Sequence, residues 1–424
     1  MRSARRRVLV AGGGWAGLAA AVEATRLGHD VTLLEMAPRL GGRARTVDIE
    51  GFALDNGQHI AIGAYVETLG LMRTLGVAES EAFVRRPLEL CDRTGAGLRL
   101  GAGPPAAAFA IAVLRHPRWT LSEKFALLRT AAAWRRTEFR CDAAWTVARL
   151  AAAVPSRVRE ELIDPLCVAA LNTRAPEASA TMFLRVLRDA LFGGRGHADL
   201  LLPSRPLGAL VPEPAERWLL ARGADLRCGT RVETIERTPS GWRVHGAVAQ
   251  DADAIVIAAS PAEAARLAQP HAPAWAERAR ALPYEPIVTV YLRSAGARLR
   301  APMVALREGP DAPAQFAFDR GQLAGHEGLF AFVVSGAARW LDAGLDATLA
   351  ATQRQAAALL GTASPEPVKV IAERRATIRC VPGLLRAPMV VAPGLLAAGD
   401  HVEGPYPSTL EGAIRSGIAA ARAV

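Results

Sequence analysis

Hydrophobic residues near the start of the chain form three short runs that predict a strand, a helix and a second strand. Residues 7–11 are an apolar run typical of a buried strand, and residues 18–27 are rich in alanine and predict a helix. Residues 31–34 return to the strand pattern. This succession indicates a parallel sheet and therefore an α/β fold.

Similar runs in the middle and at the end of the chain extend this sheet. Residues 225–235 predict two short strands, with a hairpin following around residues 239–242. Residues 253–259 predict another buried parallel strand, and residues 394–400 a short strand near the end. A terminal helix opens at residues 408–413. The α/β domain is therefore expected to be discontinuous.

Residues 66–202 are predicted to be largely helical. A capping box of Thr120 and Glu123 marks the start of one helix. We place Arg129, Arg135 and Arg136 on one face of this helix and an apolar stripe on the opposite face. The stripe predicts core packing or, alternatively, a channel wall for a long apolar substrate. It consists of Leu121, Phe125, Leu128 and Ala132.

Residues 263–384 are predicted to be rich in strands. Apolar runs at 287–292, 329–334 and 368–371 predict strands, and residues 345–360 predict a covering helix. We expect a mixed sheet from this segment.

The turn after the first strand has glycines in the GxGxxG spacing of a dinucleotide-binding loop. Gly12 permits a tight turn, Gly14 lets a pyrophosphate approach the backbone, and Gly17 lets the helix pack on the strand. Trp15 and Ala16 open the helix, whose N-terminus is expected to face the anion. The motif therefore predicts a dinucleotide site.

Glu35 and a second glycine pair distinguish between dinucleotides. Glu35 ends the second strand and is placed to accept a hydrogen bond from a ribose 2′-hydroxyl, which favours an adenosine without a 2′-phosphate. Gly41, Gly42 and Arg43 follow at a distance that suits FAD, whose pyrophosphate and flavin extend past the first turn. We therefore predict FAD as the cofactor.

These motifs resemble the flavoprotein superfamily of amine oxidases and carotenoid desaturases. Gly399 and Asp400 end a strand, and Thr409 and Leu410 lie where the terminal helix opens. The resemblance implies that Asp400 bonds the ribityl or pyrophosphate region and that the helix start faces the flavin. It also implies that Val232 offers its backbone to the adenine.

The resemblance also implies a domain division. A discontinuous Rossmann-like FAD-binding domain is expected at residues 1–65, 203–262 and 385–424. The inserted substrate-binding domain, a mixed sheet with a helical subdomain, is expected at residues 66–202 and 263–384.

Composition narrows the classes of function. The net charge of +10 is almost entirely arginine, since lysine occurs only at Lys124 and Lys369. This excess of arginine reflects either the nucleotide composition of the genome or contact with an anionic membrane surface. The arginines considered for such contact are Arg115, Arg118, Arg129, Arg135 and Arg136. The sequence contains no stripe of alternating aromatic and basic residues, so nucleic-acid binding is not predicted.

Cysteine and hydropathy patterns predict the compartment. The five cysteines form no CxxC pair and no HExxH motif is present, which favours a reducing compartment without disulfides or a metal site. No apolar stretch reaches the ~18 residues needed to span a bilayer. Cleavage of a leader would remove the nucleotide turn. We expect a cytoplasmic protein that contacts the inner face of the membrane peripherally.

Four further segments resemble one family, the hydroxysqualene dehydroxylases of bacterial hopanoid synthesis. They are residues 54–59 (LDNGQH), 165–173 (PLCVAALNT), 373–377 (ERRAT) and 399–417, which begin Gly-Asp-His. The resemblance implies reductive removal of the allylic hydroxyl of hydroxysqualene, a triterpenoid alcohol, to give squalene; the electron donor is not identified. His401 and Val402 depart from the aromatic residue and threonine that the family commonly has after Gly-Asp.

This chemistry requires an acid, because hydroxide is a poor leaving group and must be protonated as the C–O bond breaks. We select Asp55, His59 and Tyr406 as candidates, with His401 and Glu403 as further choices. Asp55 has an alternative role in shaping a turn, and His59 has one as a packed histidine.

Three other functions remain open. A carotenoid or phytoene desaturase would move hydride in the opposite direction. An amine oxidase is disfavoured by the sparse aromatic residues, 5% of the chain, and by the lack of a suitable lysine. A non-enzymatic isoprenoid escort protein would bind no flavin, and its purified form would be colourless.

Overall fold

The sheet that organises the fold joins strands from both ends and the middle of the chain. The computed structural model describes residues 5–49, 51–101, 103–247, 249–362 and 364–424. The six strands of this first sheet run, in spatial order, Asp225–Arg227, Asp30–Leu34, Arg7–Ala11, Ala254–Ile257, Leu395–Ala397 and Val390–Ala392. Neighbours are parallel except for the last pair, so this sheet is mixed. The predicted α/β fold and its strands are confirmed.

The first and last helices of the described chain pack together beside this sheet. They span Trp15–Arg26 and Leu410–Arg422. The first helix passes so close to the preceding turn that a side chain at Gly17 would overlap the carbonyl oxygen of Gly12. A side chain at Gly417 would likewise overlap the carbonyl oxygen of Ala16. Glycine is therefore required at both contacts.

Glu411 connects the last helix to the helix Val66–Thr74. Its carboxylate, which is fully buried, accepts hydrogen bonds from the backbone N–H of Glu67 and Thr68 and from the Thr68 hydroxyl. Arg415 Nε lies 2.7 Å from the same carboxylate. Glu411 lies in the first turn of its own helix, where the dipole favours a carboxylate, and it also caps a second helix.

Residues 66–202 are largely helical, as predicted. Short strands at Phe83–Arg86 and Leu200–Pro203 pair with each other, and the latter also pairs with Ala61–Ile62. The helices are Val66–Thr74, Glu79–Ala82, Pro105–Arg115, Leu121–Arg136, Val147–Leu150, Ser156–Val158, Asp164–Leu171 and Ala180–Leu191, with a π-helical turn at Arg159–Ile163.

The helix Leu121–Arg136 begins with the predicted capping box, but its buried face differs from the prediction. Thr120 and Glu123 make both reciprocal bonds. Leu127 and Trp134 are buried, whereas Leu121 and Phe125 are 68% and 62% exposed. The prediction of core packing is wrong for Leu121, Phe125 and Ala132, which are exposed, whereas Leu128 packs against the core.

The arginines of this helix lie beside the exposed stripe. Arg129 and Arg136 follow Phe125 and Ala132 by four residues, a spacing that brings side chains onto the same helix face. Their predicted place on the opposite face is therefore wrong.

A second large sheet, called here the antiparallel sheet, covers the other side of the molecule. Its five strands run Met303–Ala305, Phe316–Asp319, Leu329–Val334, Tyr284–Arg293 and Glu366–Ile378 in spatial order. Every neighbouring pair is antiparallel, although the sequence predicted a mixed sheet. The helix Leu345–Leu360 lies over it and has the predicted bounds.

The remaining elements are short. Three strands, Val232–Thr238, Gly241–Gly246 and Gln250–Ala252, form an antiparallel sheet that includes the predicted hairpin. Two-stranded pairs join Thr46–Ile49 to Phe52–Asp55 and Glu89–Cys91 to Gly97–Arg99. The other helices are Pro212–Leu220, Pro261–Ala268, Pro273–Arg280, Arg320–Ala324 and Ala338–Asp342, with a 3-10 turn at Leu207–Ala209. None of the described helices is both long and apolar enough to cross a bilayer.

Candidate functional site

A cavity of ≈ 490 Å³ is lined by both large sheets, the first and last helices and the helix Asp164–Leu171. Most residues selected for cofactor binding meet here, although they come from opposite ends of the chain. Those that line the cavity are Gly12, Gly14, Trp15, Ala16, Glu35, Gly42, Arg43, Val232, Gly399, Asp400, Thr409 and Leu410. Gly17 does not line it and instead packs against the Gly12 carbonyl.

The N-terminus of the first helix opens onto the cavity. Its N-cap residue is Gly14, no side chain caps it, and its first turn holds no acidic residue. Gly12 has φ +117°, and a side chain there would collide with the Ala258 backbone. Backbone N–H groups at this end are therefore available to an anion, and the helix dipole favours negative charge.

Glu35 is fixed at the cavity wall by two backbone donors. Its Oε2 accepts from the Gly13 N–H at 2.6 Å and its Oε1 from the Ala37 N–H at 2.7 Å. Each carboxylate oxygen has more than one lone pair, so both can accept a further bond. The arrangement suits a ribose hydroxyl.

Val232 and Thr409 already have partners within the protein. The Val232 carbonyl accepts from Arg266 Nη2 at 3.0 Å. Thr409 Oγ1 accepts from the Gly412 N–H at 2.9 Å and so caps the last helix. Both residues still face the cavity.

An ion pair between Arg43 and Asp400 ties the N-terminal and C-terminal segments together at the cavity. Arg43 also donates to the Ala376 carbonyl at 3.0 Å. Burial opposes ionisation of Asp400, but the charge of Arg43 and the neighbouring His401 hold the pKa of Asp400 well below its usual range. Asp400 is therefore a carboxylate at neutral pH and does not serve as a proton donor.

The part of the cavity formed by the antiparallel sheet is mostly apolar. Its lining includes Ile287, Phe316, Phe318, Val333 and Ile371 from the sheet, and Val168 and Leu171 of the helix Asp164–Leu171 lie beside them. Asn172 also lines this part, but its side chain donates to Thr377 Oγ1 at 2.9 Å and accepts from the Gly336 N–H at 2.7 Å. The cavity thus combines a polar end, lined by the dinucleotide motifs, with a mostly apolar end.

His59 is the only one of the three selected acids that lines this cavity. Its Nδ1 lies 2.8 Å from the Gly57 carbonyl oxygen. Because a carbonyl can only accept, Nδ1 carries the hydrogen, and Nε2 of the neutral ring is free to accept a proton. Burial lowers the pKa of His59, against the effect of the Gly57 bond.

Asp55 lies behind the cavity wall. Its Oδ1 accepts from the Leu207 N–H at 2.7 Å, and its Oδ2 has no partner among the described residues. Burial raises the pKa of Asp55 to about 6, although the Leu207 bond and the charge of Arg320 oppose the shift. The turn-shaping alternative thus has a specific contact in the structure.

Tyr406 and Glu403 face a different cavity, of ≈ 290 Å³. The Tyr406 hydroxyl donates to Asp189, which also pairs with Arg185 and Arg188. The structure therefore separates Tyr406 from the other candidates, because its hydroxyl is engaged with a carboxylate outside the main cavity.

Thr289 and Arg320 are among the polar residues near the site that were not selected from the sequence. Thr289 lines the cavity and is only 1% exposed. Arg320 is equally buried and donates to Gln58 Oε1 at 3.0 Å. A threonine inside a strand and an arginine in a short helix have no sequence signal that distinguishes them, because their roles depend on contacts between distant segments. Across the described residues, no group of three or more potential ligands could hold a metal ion.

Replacing Asp55 with asparagine should change how stability depends on pH. An ordinary aspartate has a pKa of about 3.9, so between pH 4 and 6 the folded protein holds a proton here that the unfolded chain has lost. Its contribution to stability is present at low pH and is lost as pH rises through about 6. Asp55→Asn removes this loss, which is up to about 3 kcal/mol for two pKa units.

Urea unfolding of Asp55→Asn and wild type at pH 4.5 and 7.5 measures this effect. We expect the variant to gain stability relative to wild type on going to the higher pH. Asp48→Asn, an exposed position on the paired strand, is the control and should show no such gain. A pH-independent difference for Asp55→Asn would show that this carboxyl is not strained by burial.

Comparison with known proteins agrees with this geometry. A family model described as flavin containing amine oxidoreductase matches residues 15–424. The hydroxysqualene dehydroxylase of Rhodopseudomonas palustris is 28% identical over 443 residues, covering 98% of this chain and 97% of the relative. That of Sinorhizobium fredii is 25% identical, with 98% and 97% covered. The structure of cyclohexylamine oxidase from Brevibacterium oxydans covers 99% of this chain and 98% of its own, with a TM-score of 0.71 and 18% identity. The chain therefore belongs to the family of flavin-containing amine oxidoreductases.

Proposed function

We propose that the protein reductively removes the allylic hydroxyl of hydroxysqualene and releases squalene. The observation that carries this proposal is a single cavity that combines a helix N-terminus, the carboxylate of Glu35 placed for a ribose hydroxyl, and an apolar wall. Two relatives named hydroxysqualene dehydroxylase, which align along nearly the whole chain, support it. When bound, reduced FAD supplies the hydride that replaces the hydroxyl group, and an external electron donor restores the flavin.

The residues of the polar end fit FAD. Gly14 and Gly42 approach so closely that a side chain on Gly42 would lie 3.1 Å from the Gly14 Cα, which leaves bare backbone at the cavity. We assign the pyrophosphate to this backbone and the ribose to Glu35. Asp400, Thr409 and the C-terminal segment are assigned to the flavin half. On this assignment residues 1–65, 203–262 and 385–424 bind the cofactor, and residues 66–202 and 263–384 bind the substrate.

We assign His59 as the acid that gives a proton to the leaving hydroxyl group, since it lines the cavity while Asp55 and Tyr406 do not. The leaving oxygen takes this proton and departs as water as the C–O bond breaks. Burial lowers the pKa of His59, so its ring is mostly neutral at neutral pH and the proton-donating imidazolium becomes abundant only at more acidic pH. Asp55 then acts by holding the 54–59 segment through Leu207.

Two of the three other functions predict a different cavity lining or no flavin. An amine oxidase with a lysine at the flavin is not favoured, because neither Lys124 nor Lys369 lines the cavity. An escort protein without flavin is not favoured, because the chain belongs to a flavin-containing family. A desaturase shares the cofactor and the lipid and differs in the direction of hydride transfer.

Anaerobic turnover tests the reaction. The FAD-loaded protein is reduced with dithionite and mixed with hydroxysqualene, and the neutral lipid is extracted. We expect squalene, with a rate that rises below neutral pH. His59→Gln should keep FAD but lose ~10²- to 10⁴-fold in rate, the usual contribution of a general acid. No squalene from wild type would refute the function; full activity of His59→Gln would refute only the assignment of the proton.

Glu35→Ala should weaken FAD binding, because it removes the proposed ribose acceptor and leaves two backbone donors without partners. The loss should be roughly 1–3 kcal/mol. Fluorescence titration of the apoprotein with FAD measures it. Glu233→Ala, an exposed glutamate beside Val232, is the control and should bind like wild type. Equal affinities for both variants would place the ribose elsewhere.

We further propose that an exposed apolar surface on two helices rests on anionic lipid. It consists of Ile111 and Leu114, 48% and 46% exposed, with Leu121 and Phe125. Lys124 Nζ donates to the Leu114 carbonyl at 2.8 Å and holds the two helices together, so all four side chains lie within about one helical turn of this contact.

The charges around this surface favour an anionic membrane. Arg115, Arg129, Arg135 and Arg136 are exposed, and the described contacts include no salt bridge for them. Arg118, by contrast, pairs with Asp92. Each basic residue near such a membrane contributes about 1 kcal/mol, and the apolar side chains add insertion into the interface. A water-insoluble substrate could then enter from the bilayer.

Cosedimentation with phosphatidylcholine vesicles, with and without phosphatidylglycerol, measures this contact. Wild type should bind the anionic vesicles more strongly and lose binding with salt. The double variant Leu121→Ser/Phe125→Ser should bind at least about tenfold more weakly. Leu385→Ser changes a side chain that is 75% exposed elsewhere and is the control. Equal binding to both vesicle types would exclude the proposed surface.

A further inference from the structure

The hydroxyl of Thr289 is buried in the cavity wall without a partner in the protein. Thr289 is 1% exposed and lines the cavity. Its Oγ1 makes no hydrogen bond with any of the described residues. A buried hydroxyl without a partner is unfavourable by a few kcal/mol, and most such groups in proteins are bonded.

The side chains beside this hydroxyl on its own sheet are apolar or already hydrogen-bonded. Thr289 lies in the strand Tyr284–Arg293, directly between Val333 and Ile371 on the two neighbouring strands. Both neighbours are aliphatic and line the cavity. On the same face of the strand, Ile287 is apolar and the Tyr291 hydroxyl donates to the Asp55 carbonyl oxygen at 3.2 Å.

Thr289 also faces the segment that carries His59. A side chain added at Gly57 would lie 3.5 Å from Thr289 Oγ1. Gly57 in turn accepts the Nδ1 hydrogen bond of His59. The unpaired hydroxyl therefore lies against the segment that carries His59, in a mostly apolar wall.

We propose that Thr289 Oγ1 binds the hydroxyl group of the substrate and sets the position of the C–O bond beside His59. This inference rests on the proposed function and names the residue that distinguishes the alcohol from its hydrocarbon product. Thr289 is a positioning residue, since the proton comes from another group. A ligand hydroxyl in this place satisfies Oγ1, whereas squalene leaves it unpaired, so product release is favoured.

Two substitutions separate the hydroxyl from the shape of the side chain. Thr289→Val has nearly the same shape but no polar atom, and Thr289→Ser keeps the hydroxyl. The FAD-loaded, oxidised protein is titrated in detergent with hydroxysqualene and, separately, with squalene, and the flavin absorption spectrum reports binding. The measured quantity is the ratio of the two dissociation constants.

Wild type and Thr289→Ser should prefer hydroxysqualene, and Thr289→Val should lose roughly three- to tenfold of that preference, the usual range for one neutral hydrogen bond. Turnover by Thr289→Val should show a raised KM for hydroxysqualene. An unchanged ratio in Thr289→Val, or equal binding of the two lipids by wild type, would overturn the proposal even where wild type still makes squalene. Failure of wild type to bind hydroxysqualene would overturn it together with the proposed function.

The melting temperature distinguishes a role of Thr289 in binding from a structural role, because the two roles predict opposite changes in Thr289→Val. Because Oγ1 has no partner in the protein, Thr289→Val should melt at the same temperature as wild type or higher. Thr352→Val is the matched control, since the buried Thr352 hydroxyl donates to the Thr348 carbonyl at 2.7 Å. It should leave the lipid preference unchanged. A clear drop in the melting temperature of Thr289→Val would identify a structural hydroxyl and overturn the proposal.

Discussion

The close packing of the first helix is the constraint on which the rest of the structure depends. Ten consecutive residues of this helix, from Trp15 to Ala24, are buried. Glycines at 17 and 417 let the helix approach the preceding turn and the last helix without intervening side chains. Since protein interiors are packed as densely as crystals, a methyl group at either glycine would move a whole element. The position of the helix N-terminus, and with it the polar end of the cavity, is fixed by these contacts.

This packing also explains how distant segments form one site. The last helix can lie on the first only if the chain returns, after the inserted segments, to the edge of the first sheet. Asp400 follows the returning strand and meets Arg43, which follows the second glycine pair. Glu411 then caps a helix of the first insertion. Neither contact is local in sequence, so the cavity forms only when the complete sheet has assembled.

The sequence predicted the elements whose signals are local. The strand Leu329–Val334 and the helix Leu345–Leu360 have the predicted bounds because each is a continuous run with its own periodicity. The capping box at Thr120 is likewise a short-range signal. The buried face of the helix that follows was predicted wrongly because periodicity locates an apolar stripe but not what covers it. An apolar stripe that faces outward suits the membrane contact that we propose for this helix.

More of the residues that line the polar end of the cavity than of those that line its apolar end were predicted from the sequence. Glycine spacing and a strand-ending acid have direct meaning for a dinucleotide, and the family resemblance added Val232 and the residues near the end of the chain. Twelve of the thirteen residues selected in these two ways line the cavity. The apolar end is formed by alternate residues of antiparallel strands, whose pairing joins residues far apart in sequence. Thr289 is a good strand former at a place where valine would also fit, so only the pairing with Val333 and Ile371 reveals its unsatisfied hydroxyl.

The unpaired polar atoms near the cavity reflect a balance between stability and binding. Asp55 Oδ2, Thr289 Oγ1 and His401 Nε2 are all buried and lack partners among the described residues. Each such atom destabilises the fold, because it has lost its hydrogen bonds to water. Thr289 and His401 line the cavity, where a ligand can restore those bonds, whereas Asp55 lies behind it. Binding of a ligand with matching polar groups should therefore stabilise the fold by more than its apolar contacts alone would provide.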